Sequence, residues 1–215
     1  MWDKMTSIWI QKEHIDEDMN LSDYDTIYYD CRDDFENLTK FASKWNKTHK
    51  IISVCSLEKY YLKEMPEEVF DLIAERIRNY SKNTKKCSGL CLDFIRRKEW
   101  KLLPCENVKN VLHYAYFCLN MDSNFTKKVY STLILPPIFG QSWKVFKKFS
   151  QPMLMNYTTN NLKFLLWCII AKLRGIKQIC VQGWDTDKSL LYQINICKKL
   201  NLEPSVFRYI GRKEK

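Results

Sequence analysis

Short, continuously apolar runs recur along this chain, and a stretch with helical spacing separates most of them. The clearest are "TIYYD" (Thr26 to Asp30), "IISVCS" (Ile51 to Ser56), "GLCLDF" (Gly89 to Phe94), "STLILPP" (Ser131 to Pro137), "PMLMNYT" (Pro152 to Thr158) and "QICVQGWD" (Gln178 to Asp185). A strand apolar on both faces needs cover on both sides, and a parallel sheet flanked by helices provides it.

The helical stretches carry their own punctuation. Asp33 or Asp34 can cap a helix bearing Phe35, Leu38, Phe41 and Trp45, and Pro66 precedes Val69, Phe70, Ile73, Ile77 and Tyr80. Glu106 opens a run with Val108, Val111, Leu112, Ala115 and Leu119. Asn160 or Asn161 precedes Leu162, Leu165, Leu166, Ile169, Ile170 and Leu173, with Gly175 as a stop, and the last helix runs from Asp187 through Leu190, Leu191, Ile194, Cys197 and Leu200. Two weaker strands, "TSIWI" (Thr6 to Ile10) and "VFRYIG" (Val206 to Gly211), bring the strand count to that of a (β/α)₈ barrel. The expected fold is therefore α/β, a single domain over residues 1–215 forming a small or incomplete TIM-type barrel, with an open doubly wound sheet as the alternative. With five glycines, the chain has neither G-x-G-x-x-G nor a Walker loop, which argues against the nucleotide-binding forms of that alternative.

No N-terminal apolar leader is legible, and "LKFLLWCIIAKL", interrupted by Lys163 and Lys172, is too short to span a bilayer. The expectation is a chain without membrane contact. Nine cysteines, four of them (Cys31, Cys55, Cys91, Cys180) inside apolar runs, read as free thiols of a reducing compartment. The N-x-S/T triplets at Asn37, Asn46, Asn79, Asn124 and Asn156 point the other way but arise by chance in such a composition, so localisation is left open. His14, His49 and His113 are isolated and no C-x-x-C occurs, so neither metal nor cofactor is expected.

Charge is distributed by face. Lys47, Lys50, Lys82, Lys85, Lys86, Lys127, Lys128, Lys172, Arg174, Lys177, Lys198 and Lys199 stand at helix ends just before strands, a basic underside that accounts for much of the net +10. Asp30, Asp93 and Asp185 stand at the opposite, carboxyl ends of strands, with Glu58 just beyond another; there, α/β sheets hold their ligands. Tyr28, Tyr29, Tyr157, Trp184 and Trp143 supply aromatic faces near the same rim, a combination suited to a sugar.

The order of these strand ends resembles glycoside hydrolase family 18, the chitinases and chitinase-like proteins, whose fold is a (β/α)₈ barrel. "GLCLDFI" resembles the family's fourth-strand D-x-x-D-x-D-x-E, "STLILPP" its following strand, "MNYT" its M-x-Y-D, and "GWDTDKSLL" a later aromatic and acidic strand end. Aligned on Gly89, Cys91 takes the place of a middle Asp, Asp93 is the retained carboxylate, and Ile95 stands where the family has its acid/base Glu. Thr158 replaces the Asp of M-x-Y-D and Tyr157 is kept. The resemblance implies a mechanism in which that Glu protonates the glycosidic oxygen, a contribution on the order of 10²- to 10⁴-fold that isoleucine cannot supply.

The expectation is a chitinase-like pseudoenzyme that binds a chito-oligosaccharide or another glycan through Tyr29, Asp30, Asp93, Tyr157, Trp184 and Asp185 without cleaving it. Two alternatives come from other classes. One is a carboxylate-based enzyme using Asp30, Asp93 and Asp185; the other is a basic module for nucleic acid or heparin-like polymers through Arg96, Arg97 and Lys98. Charge polarity disfavours nucleic acid, and the oligomeric state is not legible.

Overall fold

A computed structural model describes residues 5–15, 20–57, 67–93, 114–115, 117–119, 121, 128–133, 151–155, 160–182 and 187–207. Eight strands follow in chain order: β1 (Met5–Gln11), β2 (Tyr24–Asp30), β3 (Lys50–Ser56), β4 (Gly89–Asp93), β5 (Lys128–Leu133), β6 (Gln151–Leu154), β7 (Gln178–Gln182) and β8 (Glu203–Phe207). Each pairs in parallel with the next, and β8 pairs back with β1 through Ser205–Ser7, Val206–Ile8 and Phe207–Trp9. This is the sequential order of TIM-barrel sheets, not the reversed order of a doubly wound one.

Two strands begin well before their apolar runs, at a charged residue. β5 starts at Lys128, paired with Gly89, and β8 starts at Glu203, paired with Gln178. A charged residue at the amino end of a strand completes the backbone ladder while its charge stays in water, as exposed Glu203 does, so hydropathy alone misses it.

Among the described residues, four helices flank the sheet: α1 (Phe35–Trp45), α2 (Glu67–Asn83), α3 (Asn161–Leu173) and α4 (Asp187–Lys199). Residues 114, 115 and 117–119, within the run expected from Glu106, are also helical. Asp34 caps α1, its side chain accepting from the Asn37 N–H at 3.0 Å, and Asn160 caps α3 through the Lys163 N–H at 3.0 Å. α3 ends at Gly175 (φ 72°), where the Ile176 N–H reaches back to the Ala171 carbonyl at 2.9 Å. α4 closes the same way at Asn201 (φ 55°), with Leu202 N–H on the Cys197 carbonyl at 2.8 Å.

Alternation along the strands separates two apolar layers. Trp9, Tyr28, Ile52, Val54, Cys91, Tyr130, Met153, Met155 and Cys180 fill the inside of the curled sheet. Their neighbours Ile8, Ile27, Tyr29, Ile51, Cys55, Leu90, Leu92, Ile179 and Val181 belong to the outer layer beneath the helices. All eight cysteines among the described residues are free thiols. The basic residues Lys47, Lys50, Lys82, Lys85, Lys86, Lys172, Arg174, Lys177, Lys198 and Lys199 are exposed at the amino-end side, a solvated underside as the sequence suggests.

α3 does not bury the residues its periodicity puts forward. Phe164, Cys168 and Ala171 face the sheet, whereas Leu162, Leu166, Ile169 and Leu173 are exposed. The helix is apolar nearly all round, so spacing alone does not choose a face.

Candidate functional site at the carboxyl end of the sheet

The inward side chains form a floor before they form a rim. Trp9 stacks on Tyr28 with ring centroids 5.5 Å apart and planes at 9°, and Tyr130 meets Tyr28 edge-on at 5.9 Å. The Tyr28 hydroxyl donates to Gln178 Oε1 at 2.9 Å, and burial pushes its pKa well above the ordinary tyrosine value. Tyr28 is thus a buried prop under the mouth, not a platform exposed at it.

Two residues further along, the same inward faces turn polar. Gln11 ends β1 in register with Asp30 at the end of β2, and Asp93 ends β4 in register with Ser56 of β3. Gln11, Asp30 and Asp93 are 7%, 3% and 7% exposed, so two carboxylates and an amide are held close to burial at the carboxyl ends of three strands. The Leu57 N–H donates to the Asp93 carbonyl at 3.1 Å and ties the ends of β3 and β4 together.

Asp30 is compensated locally. Its Oδ1 accepts from the Arg32 N–H at 3.1 Å, and its Oδ2 lies 3.3 Å from Arg32 Nε. Arg32 and Asp33 both adopt left-handed backbone, φ 52° and 68°, a conformation costly for residues with side chains. Ion pairs hold this turn: Lys12 with Asp34, and Arg76 Nη1 with Asp33 Oδ2 at 2.5 Å. Asp33 also accepts from the Tyr80 hydroxyl at 2.9 Å, while Arg76 Nε donates to the Ser56 carbonyl at 2.8 Å. Burial is the largest influence on the Arg76 pKa and lowers it, but the Asp33 hydrogen bond together with the neighbouring Cys55, Tyr80 and Asp33 charges raises it on balance and keeps the guanidinium charged. Asp33 is therefore an anchor for α2, and only Asp34 caps α1. A cleft of about 250 Å³ lies beside this anchor, lined by Asp33, Phe35, Leu72, Glu75, Arg76, Asn79 and Tyr80.

Of the residues that the sequence puts forward, the structure brings Asp30 and Asp93 to one rim and Cys91 just beneath, inside the sheet. Burial pushes the Cys91 thiol well above its ordinary value, so the position where the resembled motif carries an Asp holds a neutral, packed group. Gly89 begins β4, paired with Ile52. Tyr29 is a correction: it points away from the mouth, stacks on Phe41 of α1 at 4.1 Å and hydrogen-bonds Asn37. Adjacent strand residues face opposite sides, and "YY" does not say which one faces in. Ile95, Tyr157, Trp184 and Asp185, with Glu58, Trp143 and the Arg96-Arg97-Lys98 run, lie outside the described residues. Sequence reasoning missed Gln11, Arg32 and Arg76; the signal for the first was its place one step past "TSIWI", the counterpart of Asp30 after "TIYY".

No protein-family model matches the chain, and no curated protein matches it in sequence. Solved structures do match in fold. A GH26 β-mannanase from Bacteroides ovatus superposes with a TM-score of 0.61 at 8% identity, covering 98% of this chain and 82% of that one. A D-tagatose 3-epimerase-like protein gives 0.56 at 9% identity over 94% and 90%, and an IOLI protein with a binding zinc atom 0.57 at 11% over 97% and 90%. At such identities the likeness speaks for a TIM-barrel type of α/β fold. No group of three or more His, Cys, Asp or Glu able to hold a metal occurs among the described residues.

Proposed function

We propose that this chain is a chitinase-like pseudoenzyme on a (β/α)₈ barrel, taking a chito-oligosaccharide or a related glycan at the carboxyl-end mouth without hydrolysing it. The observation that carries the reading is the rim itself: Gln11, Asp30 and Asp93, all nearly buried, end strands whose inward side chains form a packed aromatic floor. Carboxylate and amide groups at a strand-end mouth suit the hydroxyls of a sugar, which can donate to such oxygens. The absence of cleavage follows from the motif. Cys91 is a neutral packed thiol, Ile95 stands at the acid/base position, and no proton donor of the family type remains on the strand.

Calorimetric titration with chito-oligosaccharides, and with manno-oligosaccharides in parallel, tests binding. Saturable heat without release of reducing ends is expected, and Asp93→Asn should weaken it at least about tenfold through the loss of a buried charged acceptor. No heat with either series removes the proposal. Ile95→Glu combined with Cys91→Asp tests the family alignment: traces of chitinase activity are expected if the resemblance reflects descent, and none if it is accidental.

A further inference from the structure

The outer face of α3 is the least expected surface of the molecule. Leu162, Leu166, Ile169 and Leu173 are 77%, 52%, 41% and 80% exposed, and their spacing places them in one stripe about 17 Å long. Leu191 and Tyr192 of α4, the helix packed beside α3, are also exposed. The charges around it are mostly basic. Lys163, Lys172, Arg174, Lys177, Lys198 and Lys199 are exposed, and the acids in residues 160–182 and 187–207 are Asp187, which opens α4, and Glu203.

We propose that this face docks on an anionic lipid surface, with the stripe entering the boundary between headgroups and acyl chains and the cations meeting lipid phosphates. An apolar ridge with basic flanks is the pattern of an interfacial helix. A second copy of the chain is a poor occupant, because pairing two such faces sets lysine against lysine with hardly an acid to offset them. A groove-binding peptide is no better served: leucines about four-fifths exposed form a ridge, which suits a deformable surface. Such docking needs no membrane-spanning helix, and none of the described helices is long and apolar enough to be one.

The test is co-sedimentation of the full chain with phosphatidylcholine vesicles, alone or with about a third phosphatidylserine. The chain should pellet with the mixed vesicles and remain largely in solution with the neutral ones. The variant L162Q/L166Q/L173Q should keep the native melting curve and lose at least about tenfold in partitioning, since three apolar anchors are removed from a folded surface. Lys163→Gln and Lys172→Gln should each weaken binding to the mixed vesicles about fivefold, which keeps the idea testable if the leucine variant misfolds. Failure of the native chain to pellet overturns the proposal, as does undiminished pelleting of the folded leucine variant or of the lysine variants. A concentration-dependent dimer that the leucine variant abolishes also overturns it, naming a second copy as the occupant.

Discussion

α1 and α3 do the same architectural job with opposite surfaces. α1 buries Leu38, Phe41 and Ala42 and shows solvent Glu36, Thr39, Lys40, Ser43 and Lys44; α3 buries Phe164, Cys168 and Ala171 and shows solvent a row of aliphatic residues. Both are capped by an amide- or carboxylate-bearing side chain, so local chemistry does not separate them. Folding needs only one sticky stripe per helix, and the second stripe on α3 therefore adds nothing to the monomer's core. That contrast adds the flank, where apolar area is left uncovered, to the rim as a surface for a partner.

The comparison breaks most readily at the buried faces. Phe164→Ala and Leu38→Ala should each cost about 3–5 and 2–5 kcal/mol in urea unfolding, whereas Leu173→Ala should stay within about 0.5 kcal/mol. Equal costs at Phe164 and Leu173 would mean that the outer stripe is covered in solution. Next in size is the anchor of the left-handed turn on the α1 side. Arg76→Ala removes the partner of Asp33 and of the Ser56 carbonyl, and a loss of about 1–3 kcal/mol is expected, with Tyr80→Phe costing less.

Alkaline titration probes the two layers together. Burial raises the Cys55 thiol to about 12 from 9.0, and Cys91 and Tyr28 are shifted in the same direction. Their protonated forms cost nothing below the unfolded values; as pH rises from 9 towards 12, the unfolded thiol ionises and the buried Cys55 does not, so stability falls. Each such group contributes a slope of about 1.4 kcal/mol per pH unit, and Cys55→Ala should flatten the profile between those limits. A profile unchanged by that substitution would show that Cys55 does not set it.

The smallest effects belong to the caps. Asp34→Ala and Asn160→Ala should each cost about 1 kcal/mol. The two differ in acid. The Lys12 hydrogen bond lowers the Asp34 pKa below 3.8, so its contribution is complete above that value and disappears as pH falls through the lowered one, whereas the Asn160 cap is indifferent. Thermal melts at neutral and strongly acid pH separate them.

Much of this was legible in the sequence. The apolar runs became β2, β3, β4, β6 and β7, Pro66 stands just before α2, and Gly175 does stop α3, because each depends on neighbours a few residues away. Asp30 and Asp93 could be assigned to the carboxyl end of a parallel sheet for the same reason: chain direction and strand end are local facts. Arg76 could not be linked to Asp33, 43 residues away, because nothing in either segment names the other.

The sequence by itself thus determined the kinds of element, their order, the candidates for their caps and the end of the sheet on which the acids fall. Only tertiary structure decided that β8 returns to β1, that Tyr28 faces in and Tyr29 out, and that α3 rests on Phe164 with its leucines turned to solvent. Periodicity fixes which residues share a face, but which face is buried depends on the volume left by strands far away in the chain, and for a helix apolar all round that volume alone makes the choice.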